Sequence, residues 1–243
     1  MLRSFIFGLV ACVGVNFMAT ATYAQECKSR ARTEPSISAS VDDENPSKDL
    51  TIDFDHFAIG KVPQNFISLL LGKGKAVDWE IRSEPTARSS PNVLAEISTE
   101  EKQFRLPLLL HDKFSAKNVE VSVHFKPISG KIDQAAGVVA RYQDEKRFYV
   151  IQASAIENEV KLYKVVDETQ QVINGASAQV TSGKWHEILL RINDTHFYIC
   201  FDGMPLFEAE DDTYQNAGKI GLATKSDGVT IFDDLRIFSM EVE

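Results

Sequence analysis

The sequence lacks the motifs of several common classes of enzyme and binding site. It has only three cysteines and five histidines, and none of their spacings is typical of a zinc site. No serine lies in a nucleophile-elbow motif, and no glycine-rich loop of the kind that cradles phosphate groups is present. The sequence also lacks an internal repeat at the period of a solenoid or a propeller. It therefore predicts neither a zinc enzyme nor a nucleotide-binding domain.

The sequence has no excess of basic residues either. Its 26 lysines and arginines are outnumbered by 35 aspartates and glutamates, which gives a formal net charge of −9 at pH 7. A nucleic-acid partner requires a basic face, and anionic lipid attracts basic segments. We therefore predict neither as a partner.

The amino-terminal apolar run is short for a bilayer span, which takes about 20 residues. It covers residues 5–18, follows Arg3, and leads through small residues to Ala24. This is the anatomy of a secretory signal that is cleaved after Ala24. We expect residues 1–24 to be removed and the protein to be exported, periplasmic or extracellular, without stable membrane insertion. An uncleaved anchor and lipidation of Cys12 are the alternatives.

The next segment shows no sustained periodicity. Residues 25–48 mix charged residues with serines, Pro35 and Pro46. Such a stretch cannot bury enough apolar surface to offset the entropy lost on ordering, so we predict a flexible linker. Residues 49–243 are then sufficient for one domain with a single core.

Short strands dominate the predicted domain, and no helical pattern separates them. In the carboxy-terminal half, the runs are rich in valine, isoleucine, phenylalanine and tyrosine, and turn residues bound them. They are GVVARY (137–142), RFYVIQAS (147–154), EVKLYKVV (159–166), WHEILLRI (185–192), HFYICFDG (196–203), KIGLAT (219–224) and VTIFDDLRIF (229–238). Such spacing is typical of an all-β protein, a two-sheet antiparallel β-sandwich of the jelly-roll kind.

The amino-terminal half of the domain supplies further strands. They are predicted over LTIDF (50–54), VDWEIR (77–82), VLAEI (93–97), 105–110 and VEVSVHF (119–125). The last places Val119, Val121, Val123 and Phe125 on one face, as expected of a half-buried strand. We also expect the first and last strands to be neighbours, which would protect two sheet edges.

Two cysteines remain after the expected cleavage. A bridge between Cys27 and Cys200 is compatible with export. Cys200 lies on a strand and Cys27 in the linker, so unpaired thiols are the favoured interpretation, and the bridge stays open because pairing depends on geometry.

The ordered motifs of the chain resemble the 3-keto-disaccharide hydrolase domain family. The strings that carry the resemblance are KIDQAAG (131–137), RYQD (141–144), GKWH (183–186), AGKIGL (217–222) and FDDL (232–235). The resemblance implies a concanavalin A-like jelly roll, a fold shared with lectins, glucanases and laminin-G-like modules. It implies an activity on carbohydrate, but no catalytic set of that family maps onto this chain.

A sugar-binding face is predicted from polar and aromatic residues on the central strands. Aromatic rings offer platforms for the C–H faces of sugars, and planar donors bind hydroxyl groups. The candidates are Arg141, Tyr149, Gln152, Lys161, Tyr163 and Lys225. The sequence does not decide which side of each strand faces outward.

Paired carboxylates are the candidates for glycoside hydrolysis, which requires two of them on either side of the scissile bond. Glu208 and Glu210 have the period-2 spacing that places both on one strand face, and Asp234 lies in a later strand. Glu157 and Glu159 flank Asn158 at an expected hairpin turn. Solvated turn charges are the competing interpretation of all five carboxylates.

An aspartate-rich turn is the candidate metal site. Asp202, Asp211 and Asp212 could supply oxygen ligands to calcium, and laminin-G-like relatives carry such sites. The competing interpretation is that Asp202 and Gly203 simply form a hairpin turn. Nearby, His186 is predicted to be a hydrogen-bonded core residue, and Trp185 to pack under a loop.

Three hypotheses on function follow. The first is an exported carbohydrate-binding jelly roll without catalysis. The second is a glycoside hydrolase of the 3-keto-disaccharide hydrolase type, and the third is an adhesion or protein-interaction module. No cofactor is expected other than calcium.

Overall fold

The computed structural model describes Cys27 and residues 49–240, which form an all-β sandwich. Fifteen strands lie within the described residues. They are β1 Asp49–Ile52, β2 Phe66–Gly72, β3 Trp79–Ser83, β4 Asn92–Glu96, β5 Arg105–Ala116, β6 Val119–Ser129, β7 Ala135–Asp144, β8 Arg147–Ser154, β9 Glu159–Val166, β10 Thr169–Ser177, β11 His186–Asn193, β12 His196–Phe201, β13 Met204–Glu210, β14 Gly218–Thr224 and β15 Val229–Ser239. Within this part of the chain, no helix is long and apolar enough to cross a membrane.

The strands form two antiparallel sheets, which confirms the predicted fold class. The eight-stranded sheet has the order β13-β12-β11-β6-β15-β4-β3, with β1 also paired to β15. The seven-stranded sheet has the order β10-β9-β8-β7-β14-β5-β2. The pairing of β1 with β15 brings the first and last strands together, as predicted.

The core lies between the sheets and follows the alternation of the sequence. The side chains of Val119, Val121, Val123 and Phe125 on β6 are fully buried in it. Opposite them, Ala136 and Val138 on β7 and Ile151 on β8 come from the seven-stranded sheet. Alternate residues of each strand thus bury one face against the other sheet, and at about 25 cal/mol per Å² this burial is the main stabilising contribution.

Two strands cannot be predicted from an alternation of apolar and polar residues. β2 has the sequence FISLLLG and β10 has the sequence TQQVINGAS, and neither alternates between apolar and polar residues. They are the two edges of the seven-stranded sheet. Their pairing with β5 and β9 is therefore determined by neighbouring strands rather than by their own pattern.

The tight turns follow the predicted turn residues. Asn158 has φ 53° between β8 and β9, and Asp202 and Gly203 have φ 49° and 73° between β12 and β13. Positive φ at both central residues is the type I′ geometry that suits the twist of a two-residue hairpin. The hairpin interpretation of Asp202 and Gly203 is thereby confirmed.

A disulfide joins Cys27 to Cys200 across 173 residues of sequence. The favoured expectation of two unpaired thiols is therefore wrong, because the chain brings Cys27 onto the outward side of β12, where both sulfurs are buried against Leu189. The predicted signal peptide and the rest of the predicted linker lie outside the described residues.

Arg141 lies at a bulge that turns its side chain into the molecule. The register of β7 against β8 shifts after Ala140, and Arg141 has φ 51°. Its fully buried guanidinium donates hydrogen bonds to three backbone carbonyls, those of Lys117 at 2.8 Å, Tyr214 at 2.8 Å and Asp194 at 2.6 Å. It also lies over the ring of Phe197 at 5.9 Å.

Replacing Arg141 by methionine should destabilise the protein severely. Three backbone carbonyls would lose their donor, and the bond to Tyr214 is fully buried; since an unsatisfied buried group costs about 1–3 kcal/mol, we expect a loss of about 3 kcal/mol in the free energy of unfolding. Urea denaturation measures this loss. Arg147→Met is the matched control, since Arg147 is exposed and pairs with exposed Asp144, and it should leave the midpoint unchanged. Equal midpoints for the two variants would contradict the structural role of Arg141.

His111 is a buried histidine in an apolar contact. Its ring meets that of Phe66 edge-on at 5.1 Å between centroids and lies 6.5 Å from that of Phe114. Its Nδ1 has no hydrogen-bond partner among the described residues. Burial lowers the pKa of His111 to about 4, so the ring is neutral at physiological pH.

The buried His111 should make stability fall as the solution is acidified. Its pKa in the folded state lies below the value near 6.5 of the unfolded chain, so between pH 6.5 and 4 the unfolded state binds more protons. Relative to its value above pH 6.5, the free energy of unfolding therefore falls by about 2 kcal/mol at pH 5 and by about 3 kcal/mol at pH 4. Denaturation of wild type and His111→Phe at pH 7 and 5 should show a smaller loss in the variant. An unchanged loss in His111→Phe, with exposed His56→Gln as control, would refute this assignment.

Candidate functional site

The predicted sugar-facing residues divide into two groups. Arg141 and Tyr149 have no exposed surface and belong to the interior, so their prediction as binding residues is corrected. Tyr149 points inward on β8, where its hydroxyl donates to Asp211 Oδ1 at 2.7 Å and accepts from the backbone N–H of Tyr214 at 3.0 Å. Its ring lies 4.8 Å from that of Phe197.

The other four residues come together on the outer face of the seven-stranded sheet. Gln152 on β8 is opposite Lys161 on β9, and Tyr163 follows two residues later on the same side. Lys225 comes directly after β14, and its side chain lines the same cavity as Tyr163. We call Gln152, Lys161, Tyr163 and Lys225 the polar cluster.

Gln152 is the most enclosed member of the polar cluster. Its side chain is only 4% exposed. Its Oε1 accepts a hydrogen bond from Gln170 Nε2 at 3.1 Å, but its own Nε2 has no partner among the described residues. Gly137 leaves the space for this side chain, because a Cβ there would lie 3.1 Å from Gln152 Cγ and 2.5 Å from the carbonyl oxygen of Ile151. A buried donor without a partner is costly unless something else binds it.

Lys225 is held from the interior by Asp133. Its Nζ lies 2.7 Å from Asp133 Oδ2, and Asp133 Oδ1 accepts hydrogen bonds from Ser154 Oγ at 2.7 Å and from the backbone N–H of Gln134 at 2.8 Å. Burial opposes the charged ammonium, but the hydrogen bond to Asp133 and the attraction of nearby negative charges together outweigh it and raise the pKa of Lys225. This ammonium is therefore charged and fixed in place at physiological pH.

Lys161 and Tyr163 also keep their protons at physiological pH. Lys161 forms ion pairs with Glu159 and, at 3.1 Å, with Glu157, and the hydrogen bond to Glu159 raises the pKa of Lys161. Burial raises the pKa of Tyr163, whose hydroxyl remains a hydrogen-bond donor. The polar cluster thus presents ammonium, phenol and amide donors beside carboxylate acceptors.

A cavity of about 340 Å³ opens beside the polar cluster. Tyr163 and Lys225 line it together with Gln170 from β10 and Leu106 from β5. Phe104 stands at its wall with 77% of its surface exposed. The sequence analysis missed Phe104 and Gln170. Phe104 lies in the loop before β5, and Gln170 lies on the edge strand β10. The sequence offers one signal for Phe104, a phenylalanine just outside a strand, and none for Gln170.

The outer face of the seven-stranded sheet is apolar beyond the polar cluster. A second small hydrophobic cluster lies there, separate from the core between the sheets. Its buried members are Leu71, Leu106, Leu108, Leu110, Val139, Phe148, Val150, Val165 and Ala223. The polar groups are therefore confined to one end of this face, where the cavity lies.

A second cavity of about 270 Å³ lies on the outer side of the eight-stranded sheet. The disulfide, Tyr198, Leu206 and Glu208 line it. Besides the ring of Tyr198 and the carboxylate of Glu208, it offers the guanidinium of Arg191, which already pairs with Glu120 at 2.7 Å.

Of the three carboxylates predicted for catalysis, Asp234 lies far from Glu208 and Glu210, which share one face of β13. Glu208 and Glu210 are exposed on β13, and Glu210 forms an ion pair with His196 at 2.7 Å. Asp234 lies on β15, four strands away or about 19 Å, and approaches His124 at 3.5 Å. Hydrolysis requires carboxyl groups about 5–9.5 Å apart, so Asp234 cannot act with either glutamate.

The carboxylates predicted for calcium are also separated. Asp202 lies at the turn of the β12–β13 hairpin, and Asp211 and Asp212 lie at its other end, about 20 Å away. Asp202 accepts from His186 at 2.8 Å, which confirms His186 as a hydrogen-bonded core residue, while Asp211 is paired with Lys164 at 2.8 Å. No group of three potential metal ligands exists among the described residues.

Trp185 has a packing role, as predicted. Its Nε1 donates to the carbonyl of Thr86 at 2.5 Å, and Lys126 Nζ lies 5.5 Å from its ring centroid. The ring is therefore held under the loop between β3 and β4.

Comparison with solved structures supports the fold. No family model and no curated protein matches the sequence. Carbohydrate-binding module CBM66 from Bacillus subtilis superposes with a TM-score of 0.57 at 17% identity, covering 71% of this chain and 95% of that protein. The exoplasmic/lumenal domain of VIP36, in a Ca2+/Man-bound form, superposes with a TM-score of 0.53 at 11% identity. The match covers 81% of this chain and 91% of that domain. The GH43 protein BlXynB from Bacillus licheniformis gives 0.52 at 14% identity, with 86% of this chain and 42% of that protein covered. These similarities establish a jelly-roll β-sandwich.

Proposed function

We propose that this protein is an exported carbohydrate-binding jelly roll, and that its saccharide site is the polar cluster with the adjoining cavity. The observation that carries the proposal is the cavity of about 340 Å³, which the ring of Tyr163, the fixed ammonium of Lys225 and the amide of Gln170 line together. Lys225 and Gln170, the latter held by its hydrogen bond to Gln152 Oε1, would bind sugar hydroxyls. Tyr163 and Phe104 both line the cavity and offer rings for saccharide C–H faces.

The titles of two similar structures agree with this proposal. One names a carbohydrate-binding module, and the other names a lumenal domain with Ca2+ and Man bound. Calcium is left out of the proposed site, because Asp202 is far from Asp211 and Asp212 and no other group of three ligands is found among the described residues.

Export is supported by the disulfide between Cys27 and Cys200, since such bonds persist in oxidising compartments. The proposed signal peptide would be cleaved after Ala24, two residues before Glu26. Mass spectrometry of the protein recovered from the periplasm or medium would show a chain that begins at Gln25.

A hydrolase of the 3-keto-disaccharide type is the second candidate. One observation favours it: Glu157 and Glu159 both pair with the ammonium of Lys161, so two carboxylates lie close together beside the proposed site. Release of monosaccharide from 3-keto-disaccharides, lost in both Glu157→Gln and Glu159→Gln, would support this candidate. No turnover of any such disaccharide would exclude it.

The proposed site is tested with two variants, one that loses the hydrogen bond between Gln152 and Gln170 and one that loses the ring of Tyr163. In Gln152→Leu the acceptor that holds Gln170 in the cavity wall is lost at similar volume, and in Tyr163→Ala the ring is lost. We expect each to weaken the best-binding oligosaccharide of a glycan array at least 10-fold, or about 1.4 kcal/mol, in titration calorimetry. Tyr198→Ala, in the cavity on the other sheet, is the matched control and should bind as wild type. Folded Gln152→Leu and Tyr163→Ala proteins with wild-type affinity would overturn the proposed site.

A further inference from the structure

Both lysines of the polar cluster are paired with carboxylates of the protein. We infer that the site selects neutral saccharides and discriminates against acidic ones such as uronates and sulfated sugars. This inference rests on the proposed function, because it specifies the class of saccharide that the same site binds.

The ammonium of Lys225 is neutralised by a carboxylate that cannot move away. Asp133 is only 3% exposed, and its two oxygens are shared among Lys225, Ser154 and the backbone N–H of Gln134. An acidic ligand that drew Lys225 away would leave a buried carboxylate without its counterion, which costs several kcal/mol. The Lys225–Asp133 pair therefore behaves as a fixed neutral unit.

The two other cations beside the site are occupied as well. Lys161 forms ion pairs with both Glu157 and Glu159, so this group of three residues carries one net negative charge. The side chain of Arg105 lies 2% exposed at the far wall, where its guanidinium donates to the backbone carbonyls of Lys75 and Ala76 and to Ser98 Oγ. The charges of Lys161 and Lys225 are thus balanced by carboxylates, and that of Arg105 is buried away from the opening of the cavity.

The remaining charges increase the cost for an acidic ligand. Glu168 lines the cavity, and Glu157 is close enough to influence both Tyr163 and Lys225. Counting Lys161, Lys225 and Arg105 against Asp133, Glu157, Glu159 and Glu168 gives three positive and four negative charges. The like charges would repel a ligand carboxylate or sulfate.

Neutral hydroxyl groups suit the same arrangement. An ammonium has three donors, so Lys225 retains two after its bond to Asp133 Oδ2, and the amide of Gln170 and the hydroxyl of Tyr163 add further donors in the cavity. The oxygens of Glu157 and Glu159 can accept from sugar hydroxyls. A neutral saccharide can thus make these hydrogen bonds without disturbing an ion pair.

The experiment compares matched neutral and acidic ligands on wild type and on one charge variant. Galactose and galacturonate oligosaccharides of equal length, and glucose and glucuronate pairs, are titrated by calorimetry at low and at 0.15 M salt, starting from the series that an array identifies. Wild type should bind the neutral member at least 10-fold more tightly, with a larger difference at low salt. Tighter or equal binding of the acidic member would overturn the inference while leaving the proposed function intact.

The variant Asp133→Asn removes the counterion of Lys225 and keeps its shape and its acceptor for Ser154. We expect the ratio of acidic to neutral affinity to rise about 10-fold relative to wild type. Asp144→Asn is the control, because Asp144 pairs with Arg147 at the far end of β7. The double variant Glu157→Gln with Glu159→Gln provides a second test on exposed residues, should Asp133→Asn fold poorly. Unchanged selectivity in both variants refutes the inference, and absence of binding to every saccharide refutes the proposed function with it.

Discussion

The buried guanidinium of Arg141 is the interaction on which the arrangement of the two sheets most depends. It belongs to β7 of the seven-stranded sheet, yet it donates to Lys117 in the turn that leads into β6 and to Asp194 in the turn between β11 and β12 of the other sheet. Its third bond reaches Tyr214 in the loop before β14. Because carbonyls from three turns converge on one cation, the ends of both sheets are held together at this side of the sandwich. Tyr149 and Phe197 pack beside it and close the core there.

At the opposite end of β7, the chain is held by two carboxylates, those of Asp227 and Asp133, whereas the first end is held by the guanidinium of Arg141. Asp227 accepts hydrogen bonds from the backbone N–H groups of Lys131, Ile132 and Asp133, and although burial opposes its charge, these bonds lower the pKa of Asp227. The turn before β7 is thereby fixed, and with it the position of Asp133 under Lys225. The proposed site thus rests on a rigid turn and on β8 and β9, and its two lysines are positioned by the protein before any ligand arrives. Such preorganisation lowers the entropy that binding costs.

How much of this could be predicted from the sequence depends on the kind of feature. The alternation of Val119 to Phe125 and the Asp202–Gly203 turn are local patterns, and they predicted the strand faces and hairpins correctly. Arg141 was misplaced because a bulge, which no local pattern signals, turns its side chain inward. The choice between Tyr149 and Gln152 depended on which side of β8 meets the other sheet, and only the pairing of strands decides that. The disulfide of Cys27 and the cavity wall at Phe104 both depend on contacts between distant segments.

The central claim is that saccharide binds at the polar cluster on the outer face of the seven-stranded sheet. A crystal structure of the mature protein soaked with the neutral oligosaccharide that binds best tests it most directly. The account predicts a sugar ring in contact with Phe104 and Tyr163, with one hydroxyl within hydrogen-bond distance of Lys225 Nζ and another near the amide of Gln170. A sugar bound instead beside Tyr198 and Leu206, in the cavity next to the disulfide, would contradict it.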